Sequence, residues 1–109
     1  MAYISAMIFI ETPTFTRIIT TLLNDDELRE MQSKLIAEPE AGDLIAHGGG
    51  IRKLRWKKQG TGKSGGIRVI YYWVVDESQI LMLIAYPKSA KDNLSDAEIA
   101  VLKKLVKEL

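Results

Sequence analysis

The chain has 109 residues, which is the length of one domain, and it contains no cysteine. Hydrophobic residues make up 47% and charged residues 27% of the sequence, and this balance excludes a disordered or collagen-like chain. The lack of cysteine excludes disulfide scaffolds, thiol catalysis and zinc–thiolate sites. The longest apolar run, Ile67–Val75, is interrupted by Arg68 and is far shorter than the ~20 residues of a membrane helix. No signal-peptide pattern is visible at the N-terminus, and we therefore expect a cytoplasmic protein.

Charge is distributed unevenly along the chain, although the net charge is only +1. Residues 1–43 contain eight acidic and three basic side chains, and residues 76–109 contain six acidic and five basic side chains. Residues 44–75 contain seven basic side chains and no acidic one. Such a basic block creates a local positive field, for which phosphate is the commonest biological ligand. A solubilising surface is the alternative interpretation of the same pattern.

The first half of the chain predicts a strand followed by two helices. Met7–Ile10 is an apolar run that suits a strand. Thr12, followed by a proline, indicates a helix start. Asn24 with Glu27 three residues later is a capping-box pattern for a second helix, which ends before Pro39. The short connection between the two helices indicates a helical hairpin.

The second half of the chain predicts three strands. Ile67–Val75 is rich in β-branched and aromatic residues and has apolar side chains on both faces, which is typical of a central strand. Ile51–Lys57 precedes it and Ile80–Tyr86 follows it, and the short connections predict an antiparallel meander. Because side chains alternate along a strand, Ile51–Lys57 carries three cations on one face: Lys53, Arg55 and Lys57.

A glycine- and lysine-rich loop at residues 58–66 joins the first two of these strands. It lacks the G-x-x-x-x-G-K-[ST] spacing of a P-loop and leads into a strand, so it is either a polyanion-binding loop or a plain hairpin loop. Ser95 with Glu98 is a capping-box pattern for a closing helix. The order strand-helix-helix-strand-strand-strand-helix predicts an α+β fold with a small, mostly antiparallel sheet in a single domain, residues 1–109.

The residue types in the basic block restrict its chemistry. His47 is the only histidine, which argues against histidine triads and multi-histidine metal sites. The block also lacks the clustered carboxylates of metal-dependent nucleases, and we expect no metal or cofactor. Lysine, arginine and tyrosine can cleave RNA through attack of the 2′-hydroxyl on the adjacent phosphate, and neighbouring cations lower a lysine pKa and suit it to act as a base. Non-catalytic RNA binding fits the same composition.

Three segments of the chain resemble the RelE/ParE family of bacterial toxins from toxin–antitoxin pairs, most strongly its HigB-like branch. They are Gly49–Arg55, Gly60–Tyr72 with its Arg-Val-Ile-Tyr-Tyr end, and Tyr86-Pro87-Lys88 followed by Asp92 and Leu94-Ser95. The resemblance covers residues 7–109 and leaves residues 1–6 as an N-terminal extension. It implies a small, mostly antiparallel sheet with a helical hairpin, and metal-independent cleavage of mRNA on the ribosome. It also implies a cognate antitoxin as partner, of the helix-turn-helix DNA-binding class.

The resemblance assigns roles to single residues. Arg68 would contact the scissile phosphate, and the implied catalytic set is Arg68, Lys53, Arg55, Tyr86 and Lys88. Four lysines would contact the RNA: Lys57, Lys58, Lys63 and Lys91. Ser89 and Leu94 stand where some members of the family have an arginine and a tyrosine, so the general acid and the general base stay open.

Two other functions are compatible with the resemblance. A ParE-like protein poisons DNA gyrase by protein contact and would cause cleaved DNA, not cleaved mRNA, to accumulate. A catalytically inactive relic would bind RNA or antitoxin without cutting. The basic strand favours the RNA-cleaving function, because a gyrase poison has less need of a phosphate-binding face.

Overall fold

The computed structural model of the protein describes residues 6–57 and 66–109. It confirms the α+β fold and the element order, and it adds a two-residue strand at one sheet edge. None of the described helices is long and apolar enough to cross a membrane. In chain order the elements are β1 (Ile8–Glu11), α1 (Pro13–Leu22), α2 (Asp25–Ala37), β2 (Asp43–Leu44), β3 (Arg52–Trp56), β4 (Ile67–Val74), a 3-10 turn (Val75–Glu77), β5 (Gln79–Pro87) and α3 (Asp96–Glu108).

The strands form one sheet in the order β1-β5-β4-β3-β2. The meander of β3, β4 and β5 is antiparallel, as predicted, and β2 extends it by pairing antiparallel with β3. The first strand, β1, lies parallel to β5 at the opposite edge. Because β1 and β2 lie at opposite edges of the sheet, the helical hairpin that joins them carries the chain from one edge to the other.

The helices begin at the residues that the sequence indicates. The hydroxyl of Thr12 accepts a hydrogen bond from the Phe15 N–H at 3.0 Å and donates one to the Leu83 carbonyl at 2.7 Å. Thr12 thus caps α1 and also fastens its start to β5. Asn24 and Glu27 form both hydrogen bonds of a capping box at the start of α2. Each cap satisfies backbone N–H groups that have no partner inside the helix.

Apolar side chains cover both faces of the sheet. The α1–α2 hairpin packs on one face, and its cluster comprises Phe15, Ile19, Leu23, Met31, Leu35, Leu54, Ile67, Val69, Tyr71, Ile80, Met82 and Ala85. Helix α3 packs on the other face, with a smaller cluster of Ile51, Ile70, Leu81, Leu83, Tyr86 and Leu102. On this second face the apolar residues give way to cations along β3 and at the start of β4. That cationic area holds the candidate site.

A bulge in β5 determines which face Tyr86 occupies. Ile70 pairs with Ile84, but Tyr71 pairs with Met82, so β5 has one residue more than β4 at this point, namely Leu83. A residue inserted in one strand shifts the alternation of all the side chains beyond it. Met82 therefore faces the helical hairpin while Tyr86 faces α3. Without the bulge, strict alternation would place both on the same face.

Tyr71 ties the segment after α2 to the sheet. Its buried hydroxyl donates a hydrogen bond to the Pro39 carbonyl at 2.6 Å and accepts one from the Gly42 N–H at 2.8 Å. Burial raises the pKa of this hydroxyl, which keeps it a donor. A Cβ at Gly42 would lie 2.8 Å from the ring carbon Cε1 of Tyr71. The chain can therefore pass this close to the ring only with glycine at that position.

Candidate functional site

Three residues of the predicted set form a row across the sheet. Arg68 pairs in register with Arg55 on one side and with Tyr86 on the other. Residues paired in register project to the same face of a sheet, and Tyr86 belongs to the cluster under α3. Lys53, two residues before Arg55, projects to the same face, and these four residues together are called the row. The sequence-predicted alternation that places Lys53 with Arg55 is therefore confirmed.

Arg68 lies at the centre of this row with its charge almost removed from solvent. The residue is 7% exposed. One terminal nitrogen donates a weak hydrogen bond of 3.4 Å to the Ile67 carbonyl, and the other lies 3.8 Å from Asp92 Oδ1. The Nε atom is buried and has no hydrogen-bond partner among the described residues. Burying a charged donor without a partner is unfavourable, and a ligand that accepts hydrogen bonds would satisfy it.

Arg55 and Lys53 are held by polar groups from outside the row. Arg55 donates a hydrogen bond to Asp43 Oδ2 at 2.5 Å, an ion pair between two exposed side chains. Lys53 Nζ donates a hydrogen bond to Asn93 Oδ1 at 2.8 Å. Partial burial, and then the charges of Arg55 and Arg68, lower the pKa of Lys53. A lowered pKa makes the neutral amine, which is the form that accepts a proton, more accessible near neutral pH.

Tyr86 closes the row on the β5 side. The residue is 5% exposed, and its hydroxyl oxygen is buried without a hydrogen-bond partner among the described residues. Burial raises the pKa of this hydroxyl and the charge of Arg68 opposes that rise. The ammonium of Lys91 lies 5.1 Å from the centroid of the Tyr86 ring, within the range of a cation–π contact. Tyr86 is therefore both part of the core and next to two cations.

Glu98 fixes Lys91 in this place. Its carboxylate forms an ion pair with Lys91 and accepts a hydrogen bond from the Ser95 N–H as part of the capping box of α3. The hydrogen bond from Lys91, followed by the one from Ser95, lowers the pKa of Glu98 to about 2. The start of α3 is thus joined electrostatically to the candidate site.

The segment between β5 and α3, residues 88–95, is here called the strap. Its first N–H, on Lys88, bonds to the Gly66 carbonyl at 2.9 Å. Its middle brings Asp92 to Arg68 and Asn93 to Lys53. Sequence reasoning did not single out these two residues as site residues. One feature of the sequence could have indicated Asp92: it is the only acidic residue in a segment with two lysines, between the last strand and the closing helix.

The other predicted residues lie outside the row. Lys57 is exposed just beyond the end of β3, and Lys88 is exposed at the start of the strap. Lys58 and Lys63 lie outside the described residues, as does most of the predicted loop. Lys91, in contrast, contacts the row, because its ammonium lies over the ring of Tyr86.

The row combines types of side chain that can cleave RNA without a metal ion. The described part of the chain contains no group of three or more histidine or carboxylate side chains that could hold a metal ion. The two arginines offer forked donors for phosphate oxygens. Lys53 and Tyr86 add one group whose pKa is lowered and one whose pKa is raised. Titratable groups driven apart in this way are typical of acid–base sites.

A sequence model of a protein family, described as the RelE toxin of the RelE / RelB toxin–antitoxin system, matches residues 7–109. The chain belongs to the RelE toxin family. The family resemblance seen in the sequence is thereby confirmed, while the assignment to its HigB-like branch stays a prediction.

Two solved structures show the same fold as this RelE-family chain. One is the Escherichia coli RelBE toxin–antitoxin complex, in which the matching chain is 14% identical with a TM-score of 0.56, over 75% of this chain and 96% of that chain. The other is the isolated E. coli RelE toxin, 13% identical with a TM-score of 0.54, over 92% of this chain and 99% of that chain. At these identities the likeness establishes the fold alone.

Proposed function

We propose that this protein is the toxin of a toxin–antitoxin pair and that it cuts mRNA on the ribosome through the 2′-hydroxyl route. The observation that carries the proposal is the row, in which Arg55, Arg68 and Tyr86 lie on three neighbouring strands and Lys53 lies two residues before Arg55. Membership of the RelE family supports it. The buried donors of Arg68 and Tyr86, which have no partner in residues 6–57 and 66–109, further support a ligand that accepts hydrogen bonds.

In this proposal the arginines bind the scissile phosphate. The charge on the phosphate grows as the attacking oxygen bonds to phosphorus, and fixed cations lower the energy of that state. Arg68 is suited to this role because its guanidinium is held in a site with little solvent, where its charge acts strongly. Arg55 would exchange its contact with Asp43 for a contact with the phosphate.

Lys53 and Tyr86 would move the protons. The neutral amine of Lys53 takes the proton from the 2′-hydroxyl, whose oxygen then bonds to phosphorus. The bond between phosphorus and the 5′-oxygen breaks, and the hydroxyl of Tyr86 gives that oxygen a proton. The products are a 2′,3′-cyclic phosphate and a 5′-hydroxyl. The lowered pKa of Lys53 supports its role as the base, and the raised pKa of Tyr86 keeps its hydroxyl protonated near neutral pH, as a proton donor must be.

The partner of the protein would be an antitoxin that neutralises this site. In E. coli the RelE toxin forms a complex with its antitoxin. The row in this chain is cationic, so acidic side chains of an antitoxin would compete there with the phosphates of mRNA. The proposed substrate is mRNA on the translating ribosome.

Mapping mRNA ends by primer extension in a reconstituted translation system tests the proposal. The wild-type protein is expected to cut within codons, and only when ribosomes are present. Lys53→Met keeps most of the length of the side chain but removes the base, and it should slow cutting at least ~100-fold. Lys34→Met, on α2 and thus on the opposite side of the sheet, is the matched control and should cut like wild type.

Two results would contradict the proposal. One is cutting by Lys53→Met at the wild-type rate, which would exclude Lys53 as the base that the proposal requires. The other is intact mRNA with unimpaired translation, after which accumulation of gyrase-cleaved DNA would identify the protein as a ParE-like poison.

A further inference from the structure

The cations on this sheet face differ in the chemistry of their contacts. Arg55 faces the carboxylate of Asp43, and Arg68 faces the carboxylate of Asp92. Lys53 is instead bonded to a neutral amide oxygen, that of Asn93, at 2.8 Å. The two residues of the strap that reach the row are adjacent in sequence. The carboxylate of Asp92 thus lies next to an arginine, and the amide of Asn93 bonds to a lysine, the type of side chain that can lose its proton more readily.

A neutral acceptor has a specific consequence for a lysine that acts as a base. A carboxylate within about 4 Å favours the ammonium form by Coulomb attraction, whereas an amide oxygen adds no charge. A neutral amine keeps two N–H groups and one lone pair. It can therefore continue to donate to Asn93 while its lone pair is directed away from the strap.

We infer that Asn93 is a positioning residue, whose amide oxygen orients the Lys53 amine on the sheet face and leaves it free to accept a proton. The inference rests on the proposed function, and it adds a residue that holds the base without touching the RNA. Asp at this position would keep the shape and the hydrogen bond but would hold the lysine in its charged form.

The charged and titratable groups around Lys53 are consistent with this role. Partial burial and the two arginines disfavour its ammonium form, and Asp92 and Asp43 favour it more weakly. Tyr86 is the further titratable group of the row. Asp43 and Asp92 lie against the two arginines. A carboxylate at position 93 would instead replace the amide that bonds to the Lys53 amine, and it would therefore be the carboxylate closest to that amine.

The test compares Asn93→Asp with Ala97→Asp, which adds the same charge at an exposed position in the first turn of α3. The pKa of Lys53, followed by NMR of its side-chain resonances in the free protein, should rise by about 1 unit in Asn93→Asp and stay near wild type in the control. The pH–rate profile of mRNA cutting should move to higher pH by the same amount. At pH values below the wild-type pKa of Lys53, Asn93→Asp should cut about tenfold more slowly than wild type.

Asn93→Ala separates positioning from charge. It removes the hydrogen bond without adding a carboxylate, so cutting should slow while the pH–rate profile stays in place. If the wild type cuts mRNA but Asn93→Asp and Ala97→Asp have the same Lys53 pKa and the same pH–rate profile, the inference about Asn93 is overturned and the proposed function stands. A wild-type protein that leaves mRNA intact would overturn the proposed function, and the role of Asn93 with it.

Discussion

At the scale of single residues, the site depends on a buried charge. Arginine is a charged side chain, yet Arg68 is 7% exposed and its Nε atom lacks a partner among the described residues. The nearest anion is the exposed carboxylate of Asp92, 3.8 Å from a terminal nitrogen. This distance exceeds that of a good hydrogen bond. A phosphate that bonds directly to the guanidinium would be the better partner.

It follows that Asp92 competes with RNA for Arg68. Asp92→Asn should bind a short fluorescein-labelled single-stranded RNA about 2- to 5-fold more tightly than wild type, the range expected when a partly exposed ion pair is removed. Fluorescence anisotropy measures the affinity. Asp96→Asn makes the same change of charge in the first turn of α3 and should bind within error of wild type. Equal affinities for the two variants would show that Asp92 does not occupy the phosphate site.

At the scale of elements, local signals predicted the helices and strands well. The caps at Thr12, Asn24 and Ser95 are where the sequence indicated, because a cap depends only on residues within one turn. The parallel pairing of β1 with β5 and the extra residue at Leu83 could not be predicted in this way. Both depend on which residues meet across the sheet, and no local pattern contains that information.

One contact of this long-range kind should make a measurable contribution to stability. Tyr71→Phe removes the hydroxyl and leaves the Pro39 carbonyl and the Gly42 N–H without their partner. Because buried polar groups are left unpaired, the free energy of unfolding should fall by about 2 kcal/mol. Urea denaturation measures this loss. Tyr72→Phe, at the neighbouring half-buried residue, is the control and should lose much less. A loss for Tyr71→Phe no larger than that control would contradict the role given to this hydroxyl.

The link between α3 and the strap predicts a pH dependence. The pKa of Glu98 is lowered to about 2 in the folded protein, first by Lys91. The charged Glu98 side chain therefore stabilises the folded protein fully above about pH 4.5, the ordinary pKa range of a glutamate. As the pH falls towards 2, the unfolded state binds a proton before the folded state does, and this stabilisation is lost. Urea midpoints should therefore show wild type more stable than Glu98→Gln at neutral pH, with the difference vanishing near pH 2.

Glu30→Gln, an exposed substitution on α2, controls for the loss of one carboxylate and should follow wild type over the whole pH range. A constant difference between wild type and Glu98→Gln from pH 7 to pH 2 would contradict the assignment, since a difference independent of pH cannot come from this charge.

At the scale of the whole molecule, the fold converts a sequence block into a surface. The basic block, residues 44–75, contributes Lys53, Arg55 and Arg68 to one face of the sheet. Alternation within β3 predicted the first two together, and the family resemblance added Arg68 and Tyr86. The polar contacts from Asp43, Asp92 and Asn93 were not predicted, because they come from segments that are distant in sequence and irregular in structure.

The most direct test of the proposed chemistry uses a message with a single 2′-deoxynucleotide on the 5′ side of the mapped cut, in the reconstituted translation system. Attack by the 2′-hydroxyl requires that one oxygen, while binding and ribosome engagement barely depend on it. The unmodified message should be cut only in the presence of ribosomes and should carry a 5′-hydroxyl on its downstream fragment, and the deoxy message should stay intact at that position. An unmodified message that is never cut, or a deoxy message that is cut equally well, would contradict the assignment of this sheet face to RNA cleavage.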